Sequence, residues 1–213
     1  MSIKLTVYSD YLWPWCYVGQ DRVARMKNDY EVEVEWLPFE LHPEIPAEGM
    51  QLPQHLRARF GGMSERLKKM AHESGMEMVI PDVIPNSRRA LEASEYARRH
   101  GVHEVYHQVV FRKFYGEGQD IHRWDILKAA AEEVGLDAED MQSETESGRY
   151  HAQVSQYISQ AKARGISSVP AYIFNNKYAV FGAQPYDVFQ DLMNRLGKNL
   201  SLDTSKQEEH LLD

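Results

Sequence analysis

Thiol chemistry in this sequence has one place to happen. Cys16 is the only cysteine in 213 residues. It lies in the run Ser9-Asp10-Tyr11-Leu12-Trp13-Pro14-Trp15-Cys16-Tyr17-Val18-Gly19, where Pro14 opens a helix. The amide dipoles at a helix start can hold a sulfur as thiolate, the form that attacks disulfides. A dithiol cycle needs one thiolate to attack and a second to release the mixed disulfide, so a chain with one cysteine cannot close it. Cys16 is left with two readings: a monothiol that pairs with a small thiol or a partner, or a small buried apolar residue one helical turn in. A disulfide framework and a cysteine-only metal site are excluded.

Two other patterns carry chemistry. His103-Glu104-Val105-Tyr106-His107 fits H-E-x-x-H, which on a helix sets two zinc-binding imidazoles on one face with the glutamate as general base. Only three positions of that pattern are fixed, and the third ligand is unassigned, His122 or a later carboxylate being open to the role. A solvated helix face is the simpler reading, and no metal is expected. In Gly165-Ile166-Ser167-Ser168-Val169-Pro170 a proline meets a strand start, where a trans bond is the ordinary state. There is no nucleophile elbow and no glycine-rich phosphate loop, and Glu33 and Glu35 read as the wet face of a strand.

The elements that must position these residues follow from periodicity. Residues 3–8 alternate as a strand, 14–28 have helical composition, and 31–36 alternate with Val32, Val34 and Trp36 opposite the glutamates. From about residue 54 to 146 the strand signal disappears. Helices are expected at 55–74, from Asn86 with Ala90, Ala93 and Ala97 on one face, after Gly101 to about 115, and from an Asp120 cap to Gly135. A longer helix carries Tyr150, Val154, Tyr157, Ile158 and Ala161 to a stop at Gly165. A hairpin turns at Asn175-Asn176, and a last helix begins near Pro185, repeats Val188, Leu192 and Leu196, and closes at Gly197. This divides the chain into an α/β domain of residues 1–53 and 147–197, a helical insertion at 54–146 and a polar tail at 198–213.

Composition narrows the partners. The net charge of -8, with 32 acidic and 24 basic residues, argues against nucleic acid. The pairs Lys68-Lys69 and Arg98-Arg99 read as solvated helix faces beside Glu65 and Glu95. The longest apolar run, residues 11–18, is far short of a membrane span. The N-terminus alternates like a strand without a basic and apolar leader, so a cytoplasmic protein is expected. A homodimer rests only on the 11% aromatic content.

The order of elements, with the segments around Cys16 and Pro170, resembles the DsbA-like branch of the thioredoxin superfamily, in particular its FrnE-like subgroup. Pro38-Phe39-Glu40-Leu41-His42-Pro43, Pro85-Asn86-Ser87 with Ala90, Phe114 through Ile121, and Gly182-Ala183-Gln184-Pro185 add to the match, which extends to about residue 197. The resemblance implies a thioredoxin-like α/β fold with a helical insertion domain. A cleft is implied between them, bounded by Trp13 to Cys16, Val169-Pro170 and the insertion. The family's motif is cysteine, proline, tryptophan, cysteine. Trp13 therefore stands at the position of the nucleophile and Cys16 at the shielded resolving position, while Val169-Pro170 resembles the cis-proline loop that presents backbone to a peptide or to glutathione.

The same lineage includes 2-hydroxychromene-2-carboxylate isomerases and kappa-class glutathione transferases, which replace the nucleophilic cysteine by serine and activate glutathione's thiol. The resemblance thus implies a thiol-disulfide oxidoreductase lineage with a degenerate site, no bound cofactor, and glutathione or another small thiol as cosubstrate. The alternatives are a glutathione-dependent isomerase or transferase and a non-catalytic module for a peptide or metabolite. Trp13 is either a stacking platform or a filler of the space left by the lost cysteine. Ser9, Pro14, Trp15, Asn86, Val169, Pro170 and Gln184 are the other candidate ligand contacts, with Ser9, Asn86 and Gln184 also readable as turn or cap residues.

Overall fold

The computed structural model describes residues 2–51, 54–81 and 83–209, with side chains described outside 54–63 and 198–209. The α/β part is built from β1 (Ile3–Ser9), α1 (Pro14–Asp29), β2 (Val32–Pro38), β5 (Ala171–Phe174), β6 (Tyr178–Phe181) and α8 (Tyr186–Glu209). Between β2 and β5 the chain runs through β3 (Met50–Gln51), α2 (Gln54–Glu73), β4 (Val83–Ile84), α3 (Arg88–Arg99) and α4 (His103–Phe111). It continues through a π-helical turn at Arg112–Gly116, α5 (Trp124–Glu133), α6 (Ala138–Glu146) and α7 (His151–Ala163). The expected thioredoxin-like α/β fold with a helical insertion is what the structure has.

The sheet order is β2-β1-β5-β6. β1 pairs parallel with β2, Val7 opposite Trp36, and antiparallel with β5, Val7 opposite Tyr172. Alternation in β1 sends Ile3, Leu5 and Val7 to one face, where they pack with Val23 and Met26 of α1 and with Tyr186, Phe189, Met193 and Leu196 of α8. Tyr8 of β1 and Leu37 of β2 join a second core with Val154, Ile158 and Ala161 of α7 and with the helical insertion. Asn175 and Asn176 turn the hairpin with positive φ at both, and the Lys177 amide donates to the Phe174 carbonyl at 2.9 Å.

Several expectations are corrected. The last helix does not close at Gly197 but continues to Glu209, so the backbone at 198–209 is helical; residues 210–213 lie outside the described residues. Its buried stripe is Tyr186, Phe189, Met193 and Leu196, while Val188 is 42% exposed. Within the stretch 54–146, where the strand signal disappears, Val83–Ile84 nevertheless form β4, which pairs antiparallel with β3. α6 is an added helix, its start fixed by Asp137 accepting the Asp140 amide at 3.0 Å. Asp120 caps the turn at His122 and not α5, which starts after Arg123.

Candidate functional site

The start of α1 is held from both sides. Asp10, fully buried, accepts the Leu12 amide at 3.0 Å and the Leu41 amide at 2.7 Å, tying the helix approach to the loop after β2. Burial raises its carboxyl pKa against the opposing pull of those amides and of Ser87. Tyr115 donates its hydroxyl to the Leu12 carbonyl, Tyr17 to the Glu77 carbonyl at 2.7 Å, and Tyr11 pairs with Ser94 at 2.6 Å. Three tyrosines thus clamp residues 11–17 onto the insertion. On the other side Gly19 lets α1 approach β5: a Cβ there would lie 2.5 Å from the Tyr172 hydroxyl and 3.2 Å from Pro170 Cγ. The Val169–Pro170 peptide is cis.

Cys16 lies inside this clamp, 1% exposed in the second core. Burial pushes its thiol far above the ordinary cysteine range, with Ser9 and the Asp10 backbone contacting it. Beside half-buried Trp15, the helix start leaves two residues partly open to solvent, Trp13 at the residue before α1 and Pro14 at its first position. Both line a cavity of about 320 Å³, walled by Leu12, Ile45, Leu67, Ile80, Val83 and Phe114. The π-helical turn aims Phe114 and Tyr115 inward, and the β3–β4 pair supplies Met50, Val83 and Ile84. Its rim carries His42 and Glu44, 2.8 Å apart, with the His42 ring 6.5 Å from the Trp13 ring.

The chain and its fold have known counterparts. A model of the DSBA-like thioredoxin domain matches residues 4–194. The Bacillus subtilis (strain 168) protein YwbO is 33% identical over 193 residues, covering 89% of this chain and 95% of its own. The chain belongs to the DSBA-like thioredoxin domain family. A DsbA-like fold is also what the solved structures share with it. A probable DsbA oxidoreductase from Streptomyces coelicolor superposes with a TM-score of 0.84 at 25% identity, covering 92% of this chain and 90% of the other. A 2-hydroxychromene-2-carboxylate isomerase does so at 0.79 and 23% identity, over 93% and 98%. The cytosolic disulfide reductase DsbM from Pseudomonas aeruginosa, solved with GSH, shows the fold at 0.67 and 16% identity, over 90% and 99%.

The DsbA-like frame gathers only part of the expected site. Trp13 and Pro14 reach the cavity, whereas Trp15 packs on the insertion with the Arg66 guanidinium 5.5 Å over its ring. Val169 is buried at 3%, Pro170 lies against Gly19, and neither lines the cavity, which therefore does not span the cleft as drawn from the sequence. Asn86 spends its side chain on the Ile45 carbonyl at 2.7 Å and the Arg88 amide at 2.9 Å, and Gln184 folds back on the Phe181 carbonyl at 2.9 Å. Ser9 is buried against Cys16 and does not line the cavity, its Oγ 3.4 Å from His107 Nε2.

The solvated-face reading of residues 103–107 is also corrected. Val105, 52% exposed, and Glu104, paired with Lys27 at 2.8 Å, are the residues that face out. His103 and His107 point inward, their rings 6.0 Å apart, and burial together with the Arg98 charge depresses both pKa values, that of His107 to about 3. Arg98 is no solvated cation either. It binds Glu95 at 2.9 Å, His103 Nε2 at 3.0 Å and the Trp36 carbonyl. Asp10, His42, Glu44 and Tyr115 are site residues that spacing alone did not single out. An aspartate closing a strand two residues before a helix approach was the available signal for Asp10.

Proposed function

We propose that this DsbA-like protein, of FrnE-like type, works with a small thiol supplied from solution, glutathione or another, and not as a dithiol oxidase. The observation that carries this reading is the separation of thiol from cavity: Cys16 is 1% exposed in the core, while Trp13 holds the helix start beside an apolar space of about 320 Å³. A thiol buried in apolar surroundings stays protonated and unreachable, so the nucleophilic sulfur must come from outside. The positive end of α1 favours a thiolate bound beside Trp13. The cavity then takes the apolar body of an electrophile. Sulfur adds to its electrophilic carbon and is either retained, a transfer, or expelled after the bonds have shifted, an isomerisation.

Support comes from the fold shared with an isomerase and with a disulfide reductase solved with GSH. The apolar walls favour a second reading, a metabolite-binding module without turnover, in which Trp13 stacks on the ligand. Calorimetric titration with reduced glutathione separates them. A dissociation constant at or below about 1 mM, worth about 4 kcal/mol, supports the thiol-dependent reading. The absence of heat at millimolar glutathione, with an apolar ligand still bound, leaves the module.

A further inference from the structure

Among the described residues the walls of the Trp13 cavity are apolar, and the polar side chains at its edge are few: His42, Glu44, Ser64 and Tyr115. The Tyr115 hydroxyl is bonded to the Leu12 carbonyl, and a serine hydroxyl is no base near neutral pH. His42 and Glu44 differ. Glu44 Oε1 lies 2.8 Å from His42 Nδ1, and the imidazole holds the carboxyl below the usual glutamate range. An ionised carboxylate only accepts, so Nδ1 carries the hydrogen in this contact, and the neutral ring keeps its lone pair on Nε2. A base oriented by a second group is the arrangement that activates nucleophiles.

The loop that carries this pair is pinned at both ends. Asp10 accepts the Leu41 amide at 2.7 Å, Glu40 meets Arg88 at 3.2 Å, and Asn86 holds the Ile45 carbonyl at 2.7 Å. Between them the Ile45 amide closes a turn on the His42 carbonyl at 3.2 Å. An exposed histidine on a loose loop would have no fixed relation to the helix start. Here the same buried Asp10 ties the His42 loop and the α1 approach together, which fixes His42 relative to Trp13.

We propose that His42 is the proton acceptor for the small thiol bound beside Trp13, with Glu44 as its positioning residue. This rests on the thiol-dependent reading above. The S–H proton moves to Nε2, and the sulfur keeps the electron pair. That pair forms the bond to the electrophilic carbon of the cavity ligand, and Nε2 returns the proton to the carbanion so formed in a transfer. In an isomerisation the carbon–sulfur bond breaks again, and the pair returns to sulfur.

The test titrates the full protein with reduced glutathione by calorimetry and follows the ultraviolet absorption of the bound thiolate against pH, for the wild type, His42→Gln and Glu44→Gln. Glu44 is largely and His42 partly solvent-exposed, so these variants are expected to keep the fold, checked by circular dichroism. In the wild type the bound thiol is expected to ionise at neutral pH about tenfold or more above free glutathione, because an imidazolium stands beside it. In His42→Gln the thiolate fraction should fall severalfold toward the free value, to what the α1 start alone sustains, while affinity changes less than about threefold, and in Glu44→Gln the pH midpoint of ionisation should move up part of the way. Where an electrophile turns over, kcat should fall about a hundredfold in His42→Gln with little change in KM. A thiolate fraction unchanged in His42→Gln overturns the assignment and leaves thiol binding standing, whereas no glutathione binding to the wild type overturns both.

Discussion

Acid should loosen this protein from behind α1, and the size of the effect can be worked out at His107. The ring is 4% exposed, 4.3 Å from the Trp36 ring and 4.8 Å from the Phe111 ring. The charged and titratable groups facing it are Arg98 and Glu95 of α3 and His103 of its own helix, with Ser9 and Tyr11 completing the contact. Burial first, and then Arg98, depress its pKa from 6.5 to about 3. The folded state therefore binds fewer protons than the unfolded chain across that interval, and stability is lost as pH falls. Each pH unit below 6.5 costs about 1.4 kcal/mol, so about 2 kcal/mol disappears by about pH 5.

His103 acts with the same sign. Glu95, whose pKa burial raises, acts with the opposite one, because a raised carboxyl pKa favours the fold as pH falls. Replacing His107 by Gln isolates the single ring. Urea unfolding of both proteins at about pH 8 and about pH 5 should show the wild type losing about 2 kcal/mol more than the variant. The offset between the two at high pH reflects packing and is not the test. Curves that run parallel to within about 0.5 kcal/mol would refute the claim that His107 is buried and neutral in the fold.

Four further outcomes are expected. Cys16 should react with a chromogenic disulfide at least about a thousandfold more slowly in the native state than in denaturant, since opening the core around it costs at least about 5 kcal/mol; labelling rates within tenfold of each other would place the thiol at the surface. Trp13→Cys should gain thiol-dependent insulin-disulfide reduction that Trp13→Ser lacks, and equal inactivity of the two would show that replacing the helix-start residue alone does not recreate a dithiol site. Asp10→Ala strands the Leu12 and Leu41 amides and should cost about 2–5 kcal/mol in urea unfolding, with a loss under 1 kcal/mol counting against their burial. Gly19→Ala should cost about 1–3 kcal/mol by forcing the Tyr172 hydroxyl off the Gly19 carbonyl, which it now meets at 3.0 Å; a neutral substitution would mean that α1 and β5 are not in close contact.

Local rules carried much of the fold. Alternation placed β1 and β2, Pro14 placed α1, and Asn175-Asn176 placed the hairpin, because each signal acts within a few residues of itself. On the last helix the pattern was partly right: of Val188, Leu192 and Leu196, Leu196 is buried and Leu192 packs on the core, yet Val188 faces solvent and the buried face is completed by Phe189 and Met193. The two-residue strands β3 and β4 have no periodicity to read and exist only through each other.

The absence of a dithiol was fixed by composition alone, since one cysteine cannot release its own mixed disulfide. Which side chains meet was not. The histidines at 103 and 107 read as a surface pair by spacing, and only the docking of α4 against β2 and α3 turned them inward, where burial strips their charge. His42 carried no signal beyond a family-like hexapeptide. It acquires a partner and a cavity because Asp10, thirty-two residues earlier, holds its loop beside the start of α1. Sequence determines which groups are available and the local path of the chain. Tertiary structure decides which of them lose water and which meet across long separations, and pKa and reactivity follow from that.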